Sequence, residues 1–510
     1  MAPLVSNNKR IAKNTILLYL RTFVVLLINL YCSRLILKAL GVVDMGIYNV
    51  VGGIVTLMAV LQNAQSIATG RFIMYDIGKN LSDAQKSRTF SVCMTIHLLI
   101  ALIVVVLGDT LGLYIINSWT SIPESRTEAA NIVYQLSLLT FVINIIRVPY
   151  NSVVIAYEEM DSYAFMTILE TGLKLLFVYM IVMITADRLI VFAASLTTIA
   201  VIILLLYIYI VKRKHPEYKY SLVWDKQKSF KVLTFSGWTL TSSTANTFTQ
   251  QGVSLLFNNF VGLVANAALG FAYQINGAVY QFVSSFSTAF NPQIVKLWSS
   301  QNKDELYKLM NRASKFSFIL AYLFALPLML NIDFILKLWL HEVPQFTQTF
   351  SLLIVICSVI DATTGVYNTA ITATGKIKDY QICISISFLL DLLVSFILLY
   401  FGFHPAMVFG SRIVTRGLLN MVIGLYFTKK LIGFDVALYI KEVLLPVIIT
   451  ILASIPLFLF EKYIEDNLTH LVITFFTSLS VISICSLYVI MTKSERQSII
   501  LFINKIKNRT

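Results

Sequence analysis

Apolar stretches of about 20 residues, each long enough to cross a bilayer core, recur along this 510-residue chain, and that recurrence leaves few folds open. Fourteen can be drawn, at roughly 14–38, 43–69, 89–116, 132–157, 163–185, 189–211, 232–259, 265–291, 313–332, 346–373, 380–401, 405–428, 439–460 and 469–491. Inside hydrocarbon no water satisfies the backbone, so every N–H and C=O must bond within its own segment. The segments are therefore expected to be helices. The alternation that marks a membrane β-barrel is absent. The expected class is all-α, a polytopic membrane protein of about fourteen transmembrane helices. Composition agrees, with 57% hydrophobic and 13% charged residues, far from a soluble domain.

Charge placement predicts the orientation. Lys9, Arg10 and Lys13 precede the first stretch as they would in a secretory signal. That stretch is longer than a signal core and lacks a small-residue cleavage site, so it reads as a retained first helix. With both ends in the cytoplasm, 29 of the 40 Lys and Arg fall on inner loops and tails. Five fall outside: Lys38, Arg126, Arg188, Lys337 and Lys462. The positive-inside rule thus accounts for the net charge of +14 with no need for nucleic acid. The inner loop Glu158-Glu159-Met160-Asp161 is acidic against the trend, which costs little because acids weigh weakly in topology.

The chain also repeats itself. Tyr150-Asn151-Ser152, Ala156 and Tyr163 return 217 residues later as Tyr367-Asn368-Thr369, Ala373 and Tyr380. Tyr48 and Gly52 are echoed by Tyr273 and Gly277. Repeated membrane segments suggest two bundles facing each other about a site, the usual build of secondary transporters. A duplicated scaffold without transport is the plain alternative. The longest inner break, 212–230, opens with Lys212-Arg213-Lys214-His215-Pro216 and reads as a connector. Residues 1–211 would form an N-lobe of six helices and 231–430 a C-lobe of six. Residues 431–510 would add a helix pair and a basic tail.

Little in the chain announces an enzyme. Cys32, Cys93, Cys357, Cys383 and Cys485 all lie in apolar segments and read as buried small hydrophobes. His97, His215, His341, His404 and His470 show no ligand spacing. No nucleophile motif, phosphate-cradling Gly loop or paired-carboxylate arrangement stands out. Nor does any outer loop exceed about fifteen residues, which counts against a membrane glycosyltransferase or polymerase with an external domain.

Several stretches resemble one known family. They are Gly41 through Gly53 with Gly46-Ile47-Tyr48, then Arg71-Phe72, and Pro149-Tyr150-Asn151 followed by Ala156, Glu158 and Met160. The second lobe adds Gln251-Gly252, Asn266-Ala267-Ala268, Ala272-Tyr273-Gln274-Ile275-Asn276 and Asn291-Pro292-Gln293-Ile294. In order and spacing, over roughly 10–430, these resemble the polysaccharide-flippase branch (lipid-linked oligosaccharide or O-antigen) of the multidrug/oligosaccharidyl-lipid/polysaccharide exporter superfamily. The resemblance implies two six-helix lobes around a central cavity, with two helices appended. It also implies export of an undecaprenyl-pyrophosphate-linked oligosaccharide from the cytoplasmic to the periplasmic leaflet of a bacterial inner membrane. The partners so implied are that anionic lipid, membrane lipid and a polysaccharide polymerase. No cofactor is expected, and proton or sodium coupling stays open.

Six basic residues lie inside apolar segments: Arg21, Arg34, Arg147, Lys174, Arg412 and Arg416. Each would cost about 2.5–3.5 kcal/mol at a lipid-facing helix centre, so a cavity or a partner is expected. Arg412 and Arg416 are one turn apart and able to act on one anionic group. The acids are fewer: Glu170, Asp361 and Asp391. Bland readings compete. Glu170 and Lys174 have ion-pair spacing, while Arg34 and Arg147 could snorkel to the interfaces. Lys174 and Asp391 correspond by the repeat offset of 217, so a pair between lobes is also conceivable.

The seventh segment is crowded with Thr239, Thr241, Ser242, Ser243, Thr244, Asn246, Thr247, Thr249, Gln250 and Gln251. Hydroxyls at helix contacts are common glue. Asn246, Gln250 and Gln251 are harder to dismiss, because an unpaired amide in lipid is costly. They suit a sugar's hydroxyls or a lobe interface. Asn49, Gln62, Asn63, Gln65, Gln274, Asn276 and Gln281 extend the pattern.

The substrate-binding candidates are therefore Arg21, Arg34, Arg147, Lys174, Arg412, Arg416, Asn246, Gln250 and Gln251. Glu170, Asp361 and Asp391 are candidates for ion pairing or coupling. Six bases against three acids favour an anionic lipid-linked sugar over the runner-up, an ion-coupled drug or cation antiporter of the same fold.

Overall fold

The computed structural model describes residues 2–119, 122–183, 186–340, 342–461, 468–492 and 495–497. His341, Lys462 and the basic tail beyond 497 lie outside them. The described residues are helical with no strand among them. Fourteen long helices follow one another: α1 (Lys13–Gly41), α2 (Val43–Gly53 with Met58–Gly78, bent by 52°), α3 (Asp83–Ser118), α4 (Glu124–Ala156), α5 (Met160–Ile181) and α6 (Arg188–Lys214). Next come α7 (Lys226–Phe260) and α8 (Leu263–Ser299). The rest are α9 (Lys303–Leu330), α10 (Thr347–Thr374), α11 (Lys378–Tyr400), α12 (Ala406–Ile432), α13 (Val436–Leu459) and α14 (Leu468–Ile490).

Among the described residues eleven helices are long and apolar enough to span a membrane, or twelve with the bent α2 counted. The expected fourteen is reached only if α7 and α8 also cross. At 35 and 37 residues they have the length, but amides and hydroxyls dilute their apolar character. The chain is a multi-pass membrane protein either way.

Local chemistry sets the breaks. Asp187 caps α6 by accepting from the amides of Leu189 and Ile190, and Asp435 does the same for Ala437 and Leu438 ahead of α13. Between α1 and α2, Gly41 has φ 78°, a backbone state that a side chain would resist. The π-turn Gly108–Gly112 in α3 makes room for Tyr134, whose hydroxyl donates to the Gly108 carbonyl at 2.9 Å. A Cβ on Gly112 would stand 1.8 Å from that hydroxyl.

The chain forms two compact units, and their boundary falls inside helices. The first comprises 1–244 with 288–302, and the second 245–287 with 303–510. The first half of α7 and the last turns of α8 thus belong with α1–α6, where a connector alone was expected to part the lobes. Close packing at Gly78 binds those last turns of α8, since a Cβ there would meet the Lys296 Cα at 2.6 Å.

The same end of the first unit resolves the acidic-loop anomaly. Glu158, buried and at φ 60°, takes Lys296 at 2.7 Å and Gln293 at 3.2 Å. Glu159 takes Lys214 at 3.0 Å and His215 at 3.2 Å. Two of the loop's three acids are thus neutralised by the basic ends of α6 and α8, while Asp161 is exposed. At another helix junction Arg126 bridges Asp44 at 2.6 Å and Asp187 at 2.5 Å.

In the second unit the appended α13 and α14 pack on α9. Tyr322 shares a hydrogen bond with Ser454. Asn331 donates to Thr474 at 2.7 Å, and Asn311 to Glu442 at 2.9 Å.

Candidate functional site

Each unit holds its own set of intramembrane charges. In the second, Arg412 closes the first segment of α12 and is only 3% exposed. Its Nε donates to Asp391 Oδ2 at 3.1 Å and its Nη1 to the Tyr273 hydroxyl at 3.0 Å. Asp391, on α11 and 0% exposed, also accepts from Thr415 at 2.9 Å. Burial of both partners and the added bonds from Tyr273 and Thr415 make this an internal ion pair, although the Nη2 of Arg412 is buried with no acceptor among the described residues. The carboxylate is thus consumed within its own unit, where a partnership with Lys174 had been conceivable.

Arg416 lies on the π-turn Ile413–Leu418. It donates to the side-chain oxygen of Asn246, and its guanidinium sits 4.5 Å from the Phe388 ring centroid. A π-turn offsets the helix face, and such turns often mark functional positions. Asp361, on α10, is exposed and makes no ion pair among the described residues, yet lies within electrostatic range of both arginines. Two bases and two acids leave this unit's interior formally balanced.

The first unit is not balanced. Arg147 of α4 pairs with Glu170 of α5 at 3.0 Å. This overturns both bland readings: Glu170 does not take Lys174 one turn away, and Arg147 does not snorkel. Lys174 is half-buried and has no ion pair among the described residues. Arg21 is buried, with its guanidinium over Tyr163 at 5.1 Å and its Nε without an acceptor. Arg34 is exposed, as expected of a residue near a helix end. Of the three half- or fully buried bases expected from the sequence in this unit, only Arg147 meets an acid.

Beside Arg147 a cavity of about 260 Å³ lies between α2 and α4. Gln62, Asn63, Ser66, Asn144, Arg147 and Asn151 supply its polar lining. Sequence reasoning singled out Gln62, Asn63 and Arg147 but passed over Ser66, Asn144 and Asn151 as wall residues. The signal was there: 62, 63 and 66, and likewise 144, 147 and 151, recur at helical spacing and share a face.

Much of the polar crowd on α7 already has partners within the protein. Thr239, Thr241 and Ser242 return their hydroxyls to α7's own carbonyls at 3.0–3.1 Å, the packing role. Thr249 donates to the Phe388 carbonyl of α11 at 2.8 Å. Of the amides, Asn246 serves Arg416, Gln250 is half-buried and Gln251 is exposed.

Comparison with known proteins fits this architecture. Solved structures align along most of the chain. A MATE point mutant shares 13% identity at a TM-score of 0.73, covering 84% of this chain and 96% of its own. The fold is the MATE fold. An outward-facing multidrug resistance MATE family transporter of the MOP superfamily aligns with 13% identity and TM-score 0.71, over 84% of this chain and 96% of that one. A MOP superfamily transporter from Pyrococcus furiosus, described as having a binding pocket of reverse polarity that suggests a different function, aligns at 13% identity. Its TM-score is 0.69, over 84% of this chain and 97% of that one. The MatE family model matches residues 242–397. No curated protein matches the sequence. These comparisons show the fold and do not reach the polysaccharide-flippase branch expected from the sequence.

Proposed function

We propose that the protein is an alternating-access transporter whose cargo is an anionic, sugar-bearing lipid, a polyprenyl-pyrophosphate-linked oligosaccharide. In this reading it sits in a bacterial inner membrane with both termini cytoplasmic, and carries the headgroup outward for surface polysaccharide assembly. The observation that supports it is the charge of the first unit's interior. The buried acids Asp76 and Glu158 are matched by Lys228 and Lys296, and Glu170 by Arg147, which leaves Arg21 and Lys174 with no ion pair among the described residues. Uncompensated cations are expensive at membrane depth unless they serve an anionic ligand or a wet path. A pyrophosphate supplies that anion.

A second reading has its own support. The family model and the solved relatives carry MATE names, one of them a multidrug resistance transporter. Together with the unpaired carboxylate of Asp361, they favour an ion-coupled drug or cation antiporter more than they favour the flippase. One paired experiment separates the two. Expression in a pump-deficient strain should leave resistance to cationic dyes unchanged, while purified protein in vesicles should move a polyprenyl-pyrophosphate oligosaccharide between leaflets. Dye efflux without lipid movement would establish the antiporter instead.

A further inference from the structure

We propose that the cavity between α2 and α4 seats the sugar ring joined directly to the carrier's pyrophosphate, an inference that rests on the anionic-lipid reading above. Its lining is amide-rich. Gln62, Asn63 and Ser66 come from α2, and Asn144, Arg147 and Asn151 from α4. Two helices thus turn polar stripes into one space. Lipid tails have no use for such a wall.

Two atoms ask for a ligand. The Oδ1 atoms of Asn144 and Asn151 are shielded from solvent and accept no hydrogen bond among the described residues. Buried polar atoms are normally paired, and leaving them bare is costly. They lie two turns apart, about 10 Å along α4, with Arg147 between them. With no protein partner fixing them, these amides are free to turn toward the cavity that their residues line, where a ring carrying hydroxyls and an acetamido group offers both donors and acceptors. The single cation of the wall already engages Glu170 at 3.0 Å, so the phosphate belongs beside the pocket, within reach of Arg147's free edge.

Volume limits the occupant. About 260 Å³ lies just under the size at which ordinary small-molecule pockets begin. One ring fills the space against the wall, and further sugars of a chain would lie beyond its open mouth. Arg147 at the wall selects the ring next to the charged linkage.

The test uses the full chain in nanodiscs and two probes: polyprenyl pyrophosphate bearing one N-acetylhexosamine, and polyprenyl pyrophosphate bare. Wild type should bind the glycosylated probe about tenfold more tightly, the worth of a pair of ordinary hydrogen bonds. Asn144→Leu with Asn151→Leu should collapse that preference to within about twofold. Gln62→Leu, on the opposite wall, carries the same test should the double variant fail to fold. Equal affinity for both probes in wild type, or a preference retained in every folded variant, would overturn the sugar pocket while leaving the anionic-lipid reading standing. A wild type that binds neither pyrophosphate would sink that reading, and the pocket with it.

Discussion

Replacing Asp391 by Asn tests whether Arg412 is structural. Asp391 is 0% exposed and Arg412 only 3%, and their contact is 3.1 Å. Removing one partner of such a pair strands the other charge, which costs about 3–5 kcal/mol in protein interiors. Asn preserves the volume and can still accept from Thr415. Arg412 also keeps the Tyr273 hydroxyl at 3.0 Å and the Phe409 ring at 5.5 Å. The loss should therefore fall at the lower end, about 3 kcal/mol. Arg412→Met should cost a similar amount by stranding Asp391, and the double variant much less than the sum of the two. The assay is reversible denaturant unfolding in bicelles, read as a double-mutant cycle. A coupling of about 2 kcal/mol or more is expected for contacting residues. Additive single variants, with coupling under about 0.5 kcal/mol, would refute the pair and return Arg412 to the list of free cations.

Three further outcomes follow from the geometry. Arg147→Gln should slow vesicle translocation of the anionic lipid at least about tenfold, while Arg416→Gln, whose unit is charge-balanced, should slow it less. Gly78→Ala should lower the folded yield, since its Cβ would sit 2.6 Å from the Lys296 Cα and 2.0 Å from the Ser299 hydroxyl; wild-type yield and melting temperature would contradict the packing. The Arg126 hydrogen bond holds the Asp187 carboxyl below its ordinary range. That stabilisation is present above the unfolded carboxylate range near 4 and fades as pH falls through the depressed folded value. Asp187→Asn should therefore lower the melting temperature at pH 7 and converge with wild type in strong acid; a gap that is constant with pH would contradict the linkage.

The helical class and almost every break were legible in the sequence, because apolar length and backbone satisfaction in lipid leave one solution. Partnerships were less legible. Glu170 offered Lys174 at i+4, but the fold brings Arg147 of α4 to 3.0 Å, a contact that no local spacing encodes. Asp391 and Arg412 are 21 residues apart and meet only because α11 and α12 pack as a hairpin. The Ser and Thr crowd on α7 looked like a ligand surface, yet several of its hydroxyls bond carbonyls one turn back, which composition alone cannot distinguish. Asn144 was overlooked for the opposite reason. A lone amide in an apolar run stands out only once Arg147 and Asn151 are placed on its face.

A negative moving headgroup fixes the sign of the voltage dependence of transport. Proteoliposomes carrying fluorescent polyprenyl-pyrophosphate oligosaccharide would be clamped by potassium gradients at opposite polarities, and leaflet transfer followed by quenching. One charge crossing the whole field is worth about 2.3 kcal/mol per 100 mV, so reversing polarity should change the rate severalfold even for partial crossing. An anionic headgroup should transfer faster toward the positive side. Faster transfer toward the negative side, or lipid transfer absent while a cationic dye accumulates, would contradict it.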